Sequence, residues 1–130
     1  LRNSSQGLDI PTHFMEQKSA VKKLDPKIVV VSVPNRRVGR KILRKVLEAK
    51  LAACVTILPG VKSSYWWKDK IETSSEEILL FKTSGSRLSQ LQKLVQKNHP
   101  FEVPEFIAIP ITDGSKSYLK WLEANLRLGD

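Results

Sequence analysis

Ile28-Val29-Val30-Val31-Ser32-Val33 constrains this chain more than any other segment, because five of its six residues are β-branched aliphatics. The run is too short for a good helix and too apolar for a strand with one wet face. It predicts a strand covered on both faces, in the middle of a sheet. Pro34 stops it. Asn35 then stands where a side-chain oxygen can accept a bond from an orphan N–H of a following helix.

From Arg36 to Leu51 the period is helical. Val38, Ile42 and Val46 form one stripe with Leu43, Leu47 and Leu51 beside it, while Arg37, Arg40, Lys41 and Arg44 fall opposite. Gly39 weakens this helix by up to ~1 kcal/mol relative to Ala but permits close packing on the strand. Ala53 to Leu58 reads as a second strand, broken by Pro59-Gly60, where a missing donor and a permissive backbone predict a bulge. The strand pattern resumes at Val61 and runs into Tyr65-Trp66-Trp67. Lys68-Asp69-Lys70 suits a hairpin turn, and the return strand from Ile71 ends in Ile78-Leu79-Leu80-Phe81-Lys82-Thr83.

Ser84-Gly85-Ser86 opens a second helix, with Leu88, Leu91, Leu94 and Val95 at amphipathic spacing, and Asn98-His99-Pro100 ends it. Phe101 to Ile111 is again extended, but Pro104 and Pro110 confine it to an edge. Asp113-Gly114 makes a turn, and a last helix spans about Ser115 to Leu126. The order predicts an α+β fold: a ferredoxin-like βαββαβ sandwich with a long β2-β3 hairpin and an extra C-terminal helix.

Residues 1–26 are polar without a sustained period and are read as a flexible tail. Met15 is the only methionine, so residues 1–14 are taken as a remnant preceding a native start, with a truncated precursor or a native leader lacking its beginning as the alternative, and are excluded from fold reasoning either way. Residues 27–130 form the single domain that this length allows. One cysteine, Cys54, excludes an internal disulfide and points to a reducing, cytoplasmic setting, with an organellar form left open. Its apolar neighbours mark it as a small buried hydrophobe. No stretch approaches the ~20 apolar residues of a membrane span. The net charge of +9 is concentrated in residues 35–50, where seven Lys and Arg face Glu48 alone.

Leu51-Ala52-Ala53-Cys54-Val55 with Pro59, Ser64-Tyr65-Trp66-Trp67-Lys68, Lys82-Thr83, His99-Pro100-Phe101-Glu102-Val103-Pro104-Glu105, Pro110 and Tyr118-Leu119-Lys120-Trp121-Leu122 resemble, in this order, the CutA divalent-cation-tolerance family. The resemblance covers about Lys27 to Leu126. It implies a ferredoxin-like protomer, a homotrimer paired through the long hairpin and edge strands, and a link to tolerance of divalent cations, copper in particular. For animal members it also implies an acetylcholinesterase-related protein partner. Bacterial members carry a cysteine in the first strand and two adjacent histidines before the proline. Val31 and Asn98 stand at two of those positions here, which leaves His99, and Asp69 replaces the glycine usual after the tryptophans.

His99 with Glu102 and Glu105 is the candidate metal set, since imidazole and carboxylates suit copper or another divalent cation, held weakly. Set against it is a local role for His99 at the helix end. Tyr65, Trp67 and Lys82 are the candidate ligand cleft, at positions that in the family crowd a cleft between subunits. Interface packing is the alternative for them. No nucleophilic triad or phosphate loop is readable, adjacent Glu76 and Glu77 face opposite sides of a strand, and no enzymatic role is expected. The expected function is a binding or scaffold protein. Two other classes stay open: a ferredoxin-like small-molecule sensor trimer, on fold analogy, and a nucleic-acid module using basic helix 36–50. Nucleic acid is disfavoured, because base stacking needs exposed aromatics on central strands and Phe81 is the only aromatic there.

Overall fold

The structure is a computed structural model and describes residues 14–126. The elements run α1 (Phe14–Leu24), β1 (Pro26–Val33), α2 (Arg36–Glu48), β2 (Cys54–Trp67), β3 (Lys70–Ser84), a 3-10 turn (Gly85–Arg87), α3 (Leu88–Asn98), β4 (Ile107–Pro110) and α4 (Lys116–Leu126). The sheet order is β2-β3-β1-β4, and every neighbouring pair is antiparallel. This is the ferredoxin-like arrangement, with β1 and β3 central and β4 reduced to four residues at an edge.

Alternation assigns the two faces of the sheet. Val29, Val31 and Val33 of β1 and Leu79 and Phe81 of β3 point toward α2 and α3, where they meet Ile42, Val46, Leu91 and Val95; all nine are fully buried. Gly39 allows this approach: a Cβ there would lie 3.2 Å from Val33 Cγ2 and 3.5 Å from Leu79 Cδ2. On the opposite face Ile28, Val30, Ile78 and Leu80 are only half-buried, and Leu58, Ile107 and Ile109 are exposed. The expectation that the first strand is covered on both faces therefore holds on one face within a single protomer.

Asn35 caps α2 as its position predicts, its side chain accepting from the Val38 N–H at 3.0 Å. The helix ends earlier than its apolar period. Lys50 adopts a positive φ of 56°, its N–H bonds to Leu47 O, and the Leu51 N–H reaches back to Val46 O at 3.0 Å. That Schellman pattern turns Leu51 out of the helix and into the core beside Val46.

The bulge expected at Pro59-Gly60 lies between Leu58, paired with Ile78, and Val61, paired with Glu76. Gly60 takes φ +68° there. The hairpin closes through Lys68 and Asp69 at φ 51° and 66°, the left-handed pair that a two-residue turn requires.

Residues 14–24 form helix α1, an element absent from the reading of residues 1–26 as tail. Its Leu24 is 5% exposed and joins Leu119, Leu122 and Leu126 of α4 in a second, smaller core. Asp25, at φ 53°, turns the chain directly into β1, and its carbonyl accepts the Gly85 N–H at 2.8 Å. Residues 1–13, most of the stretch taken as a remnant and including His13, lie outside the described residues.

Candidate functional site

The upper half of the hairpin and the loop after α3 enclose a cleft of about 650 Å³. Beyond the bulge, Val61, Ser63, Tyr65 and Trp67 pair with Glu76, Ser74, Glu72 and Lys70. The period of two therefore places Tyr65, Trp67 and Ser63 on the same face as Glu76, the face left open by the helices. Ser32 at the end of β1 supplies the floor, and Phe101, Glu102, Val103 and Glu105 form the opposite wall. The Tyr65 hydroxyl is held by Ser74 Oγ at 3.3 Å. Glu76 is 7% exposed, Ser32 equally so.

His99 positions that wall without lining the cleft. Its ring is 8% exposed; Nε2 lies 2.7 Å from Ser32 O and Nδ1 accepts the Phe101 N–H at 3.1 Å. One nitrogen donates and the other accepts, which assigns the neutral tautomer with its proton on Nε2. The rings of His99 and Phe101 are 4.8 Å apart at 53°. The imidazole thus fastens the end of α3 to β1 and sets the start of the wall.

The candidate metal set does not converge. Both His99 nitrogens are engaged with backbone groups, whereas Glu102 and Glu105 stand exposed on the cleft wall. No group of three or more His, Cys, Asp or Glu able to hold a metal ion exists among the described residues. The described side chains of one protomer thus do not assemble a set for a resident divalent cation.

Of the candidate cleft residues, Tyr65 and Trp67 are brought together and Lys82 is not. Lys82 shares their face but lies six residues from Glu76, about 20 Å along an extended strand. Its Nζ donates to Thr56 Oγ1 instead. The cleft contains what the sequence reading overlooked: Glu76, Ser32 and Phe101. Counting alternate residues back from Leu80 and allowing for the bulge would have grouped Glu76 with Tyr65 and Trp67.

Cys54 is free at the start of β2 and only half-buried, where its apolar neighbours in sequence suggest a buried hydrophobe. Nearby Tyr118 has its hydroxyl pKa raised, first by burial and then by the Cys54 thiol. The outer face of α2 carries Arg37, Arg40, Lys41, Arg44 and Lys45, all exposed, and Lys93 and Lys97 of α3 extend it across a shallow groove. No exposed aromatic accompanies it on the central strands, because Phe81 is fully buried. No helix among the described residues is long and apolar enough to cross a membrane.

The CutA1 divalent ion tolerance protein family model matches residues 27–125. The chain is 48% identical over 114 residues to the chloroplastic protein CutA of Arabidopsis thaliana, covering 87% of this chain and 61% of that protein. It is 47% identical to the chloroplastic protein CutA 1 of Oryza sativa subsp. japonica, covering 78% and 58%. The chain thus spans about three fifths of the length of these two plant relatives. A divalent-cation tolerance protein CutA of Yersinia pestis is 38% identical, with 86% of this chain and 94% of that protein covered.

Among solved structures, CutA1 from Oryza sativa superposes with a TM-score of 0.76 at 43% identity, covering 78% of this chain and 94% of that one. The periplasmic divalent cation tolerance protein CutA of Archaeoglobus fulgidus gives 0.75 at 33%, covering 78% and 98%. These names overturn the cytoplasmic expectation. A single cysteine excludes an internal disulfide in any compartment, so it carried no information to choose among them.

Proposed function

The chain belongs to the CutA1 divalent ion tolerance family, and from that premise we propose that it acts as a homotrimeric binding and scaffold protein in the response to divalent cations such as copper, with the hairpin cleft as its ligand site. The observation that carries the assembly is the open face of the sheet. Ile28, Val30, Ile78 and Leu80 are half-buried, and Leu58, Ile107 and Ile109 extend the same apolar surface to both edges. A contiguous apolar face with an unpaired edge strand is an aggregation hazard in a monomer, and closed cyclic association removes it. Three subunits also satisfy the hairpin, whose strands of 14 and 15 residues outrun the eight-residue β1 beside them.

The metal response follows the family and does not rest on a built ion site in one protomer. The basic face of α2 and α3 supports an anionic contact surface, but without exposed aromatics it does not favour nucleic acid over any other polyanion. The chloroplast is the compartment we propose, after the plant relatives; fractionation of plastids followed by immunoblotting checks it. Multi-angle light scattering at micromolar concentration tests the assembly. A mass three times the 14.7 kDa of the chain is expected, and a monomer mass would sink the trimer.

A further inference from the structure

We infer that the cleft takes a small organic cation, its charge met by the Glu76 carboxylate and its alkyl shell by Tyr65, Trp67 and Phe101. The inference rests on the cleft reading above and adds the ligand class.

Glu76 carries the argument. Its side chain is more than nine-tenths buried, and among the described residues no hydrogen bond or ion pair reaches its carboxylate. A recessed carboxylate that no protein group pairs favours a countercharge in the space it faces. Such a group persists where something else supplies the countercharge. Glu76 does not face a closed core; it lines the cleft.

The rest of the lining points the same way. Lys and Arg outnumber Asp and Glu by 22 to 13 in the chain, yet among the described residues no Lys, Arg or His lines the cleft. Its charged groups are Glu76, Glu102 and Glu105. The nearby Lys62 is committed elsewhere, its Nζ 2.9 Å from Ser75 Oγ. The cleft is therefore locally acidic on a protein of net charge +9. Anionic ligands are repelled, and cations are drawn in.

Size and wall chemistry separate an organic cation from a bare metal ion. About 650 Å³ lies in the range of small-molecule pockets, far beyond one hydrated ion. No ligand set converges for a metal. Aromatic side chains attract substituted ammonium ions through the ring quadrupole, an attraction that grows as the cation is desolvated.

Choline and its uncharged carbon isostere 3,3-dimethylbutan-1-ol test this on the full chain in its native assembly, by tryptophan fluorescence and calorimetry. Choline should bind saturably with one site per chain, and the alcohol at least tenfold more weakly. Glu76→Gln keeps the shape of the side chain; it should weaken choline at least tenfold and leave the alcohol, the circular dichroism and the assembly mass unchanged. Equal binding of choline and the alcohol, or tighter binding of trimethylacetate, would leave the cleft a ligand site and overturn the cation class. Undiminished choline binding by Glu76→Gln would remove Glu76 from the site. Displacement of choline by copper(II) alone, lost in Glu76→Gln, would reassign the cleft to a metal. Failure of every probe to bind would overturn both the class and the cleft reading.

Discussion

The imidazole of His99 spans from the end of α3 to β1, with Nε2 2.7 Å from the carbonyl oxygen of Ser32, 67 residues earlier in the chain. Its other nitrogen accepts the Phe101 N–H, so the ring ties three segments at one point. Such a histidine serves architecture first.

His99→Ala should therefore lower stability by about 1–3 kcal/mol, the cost of leaving buried polar groups unpaired, and leave copper affinity unchanged. Urea denaturation and calorimetric titration with copper(II), run on both proteins, separate the two effects. A loss of copper binding at unaltered stability would restore His99 as a ligand and remove it as a tie.

Leu24 links the N-terminal helix to α4. At 5% exposed and packed with Leu119, Leu122 and Leu126, its truncation in Leu24→Ala should cost about 2–5 kcal/mol, the range for buried leucines. A change under ~0.5 kcal/mol in denaturant midpoint, as at free surface sites, would show that α1 contributes nothing to the fold. The reading of residues 1–26 as a dispensable tail would then stand.

Tyr118 should ionise above its ordinary value of 10.0, because burial and then the negative charge of neighbouring Cys54 both disfavour the phenolate. The raised value means that the folded state holds its proton longer than the unfolded one. The corresponding stability is fully present below pH ~10 and is lost as pH rises through the folded pKa. Ultraviolet titration of the phenolate, compared with Tyr118→Phe, checks it. Removal of a low-pKa component by that substitution would contradict the expectation.

Ile109 offers a way to separate assembly from folding. It is 46% exposed on the edge strand, so Ile109→Glu leaves the protomer core untouched and places a charge on the open sheet face. The expected outcome is a folded chain of reduced mass by light scattering, with far-ultraviolet circular dichroism unchanged. Retention of the full assembly mass would place the subunit contact elsewhere.

How much of this was legible depends on how local each determinant is. The β-branched run of β1, the Asn35 cap and the Pro59-Gly60 bulge are set by a few neighbouring residues, and each stands where the sequence places it. Helix α1 was invisible because its buried Leu24 finds partners in α4 about a hundred residues later, and short helices owe their stability to such packing. The cleft was half legible. Tyr65 and Trp67 announce themselves by size, whereas the importance of Glu76 comes from a burial that only the assembled register produces. Lys82 stands outside the cleft of one protomer because the distance along a strand outweighs a shared face.

The extra residue at Pro59-Gly60 is absorbed by the bulge, so Leu58 and Val61, three residues apart, keep the same face as their partners Ile78 and Glu76. Removing Gly60 alone would restore regular pairing between Leu58–Ile78 and Val61–Glu76, leaving Tyr65 and Trp67 on the face of Glu76. Beyond the bulge the period of two governs the arm, so matched insertions of two residues on β2 and β3 keep every face. One residue added to each strand would instead bring Ser64 and Trp66 to the face of Glu76 in place of Tyr65 and Trp67.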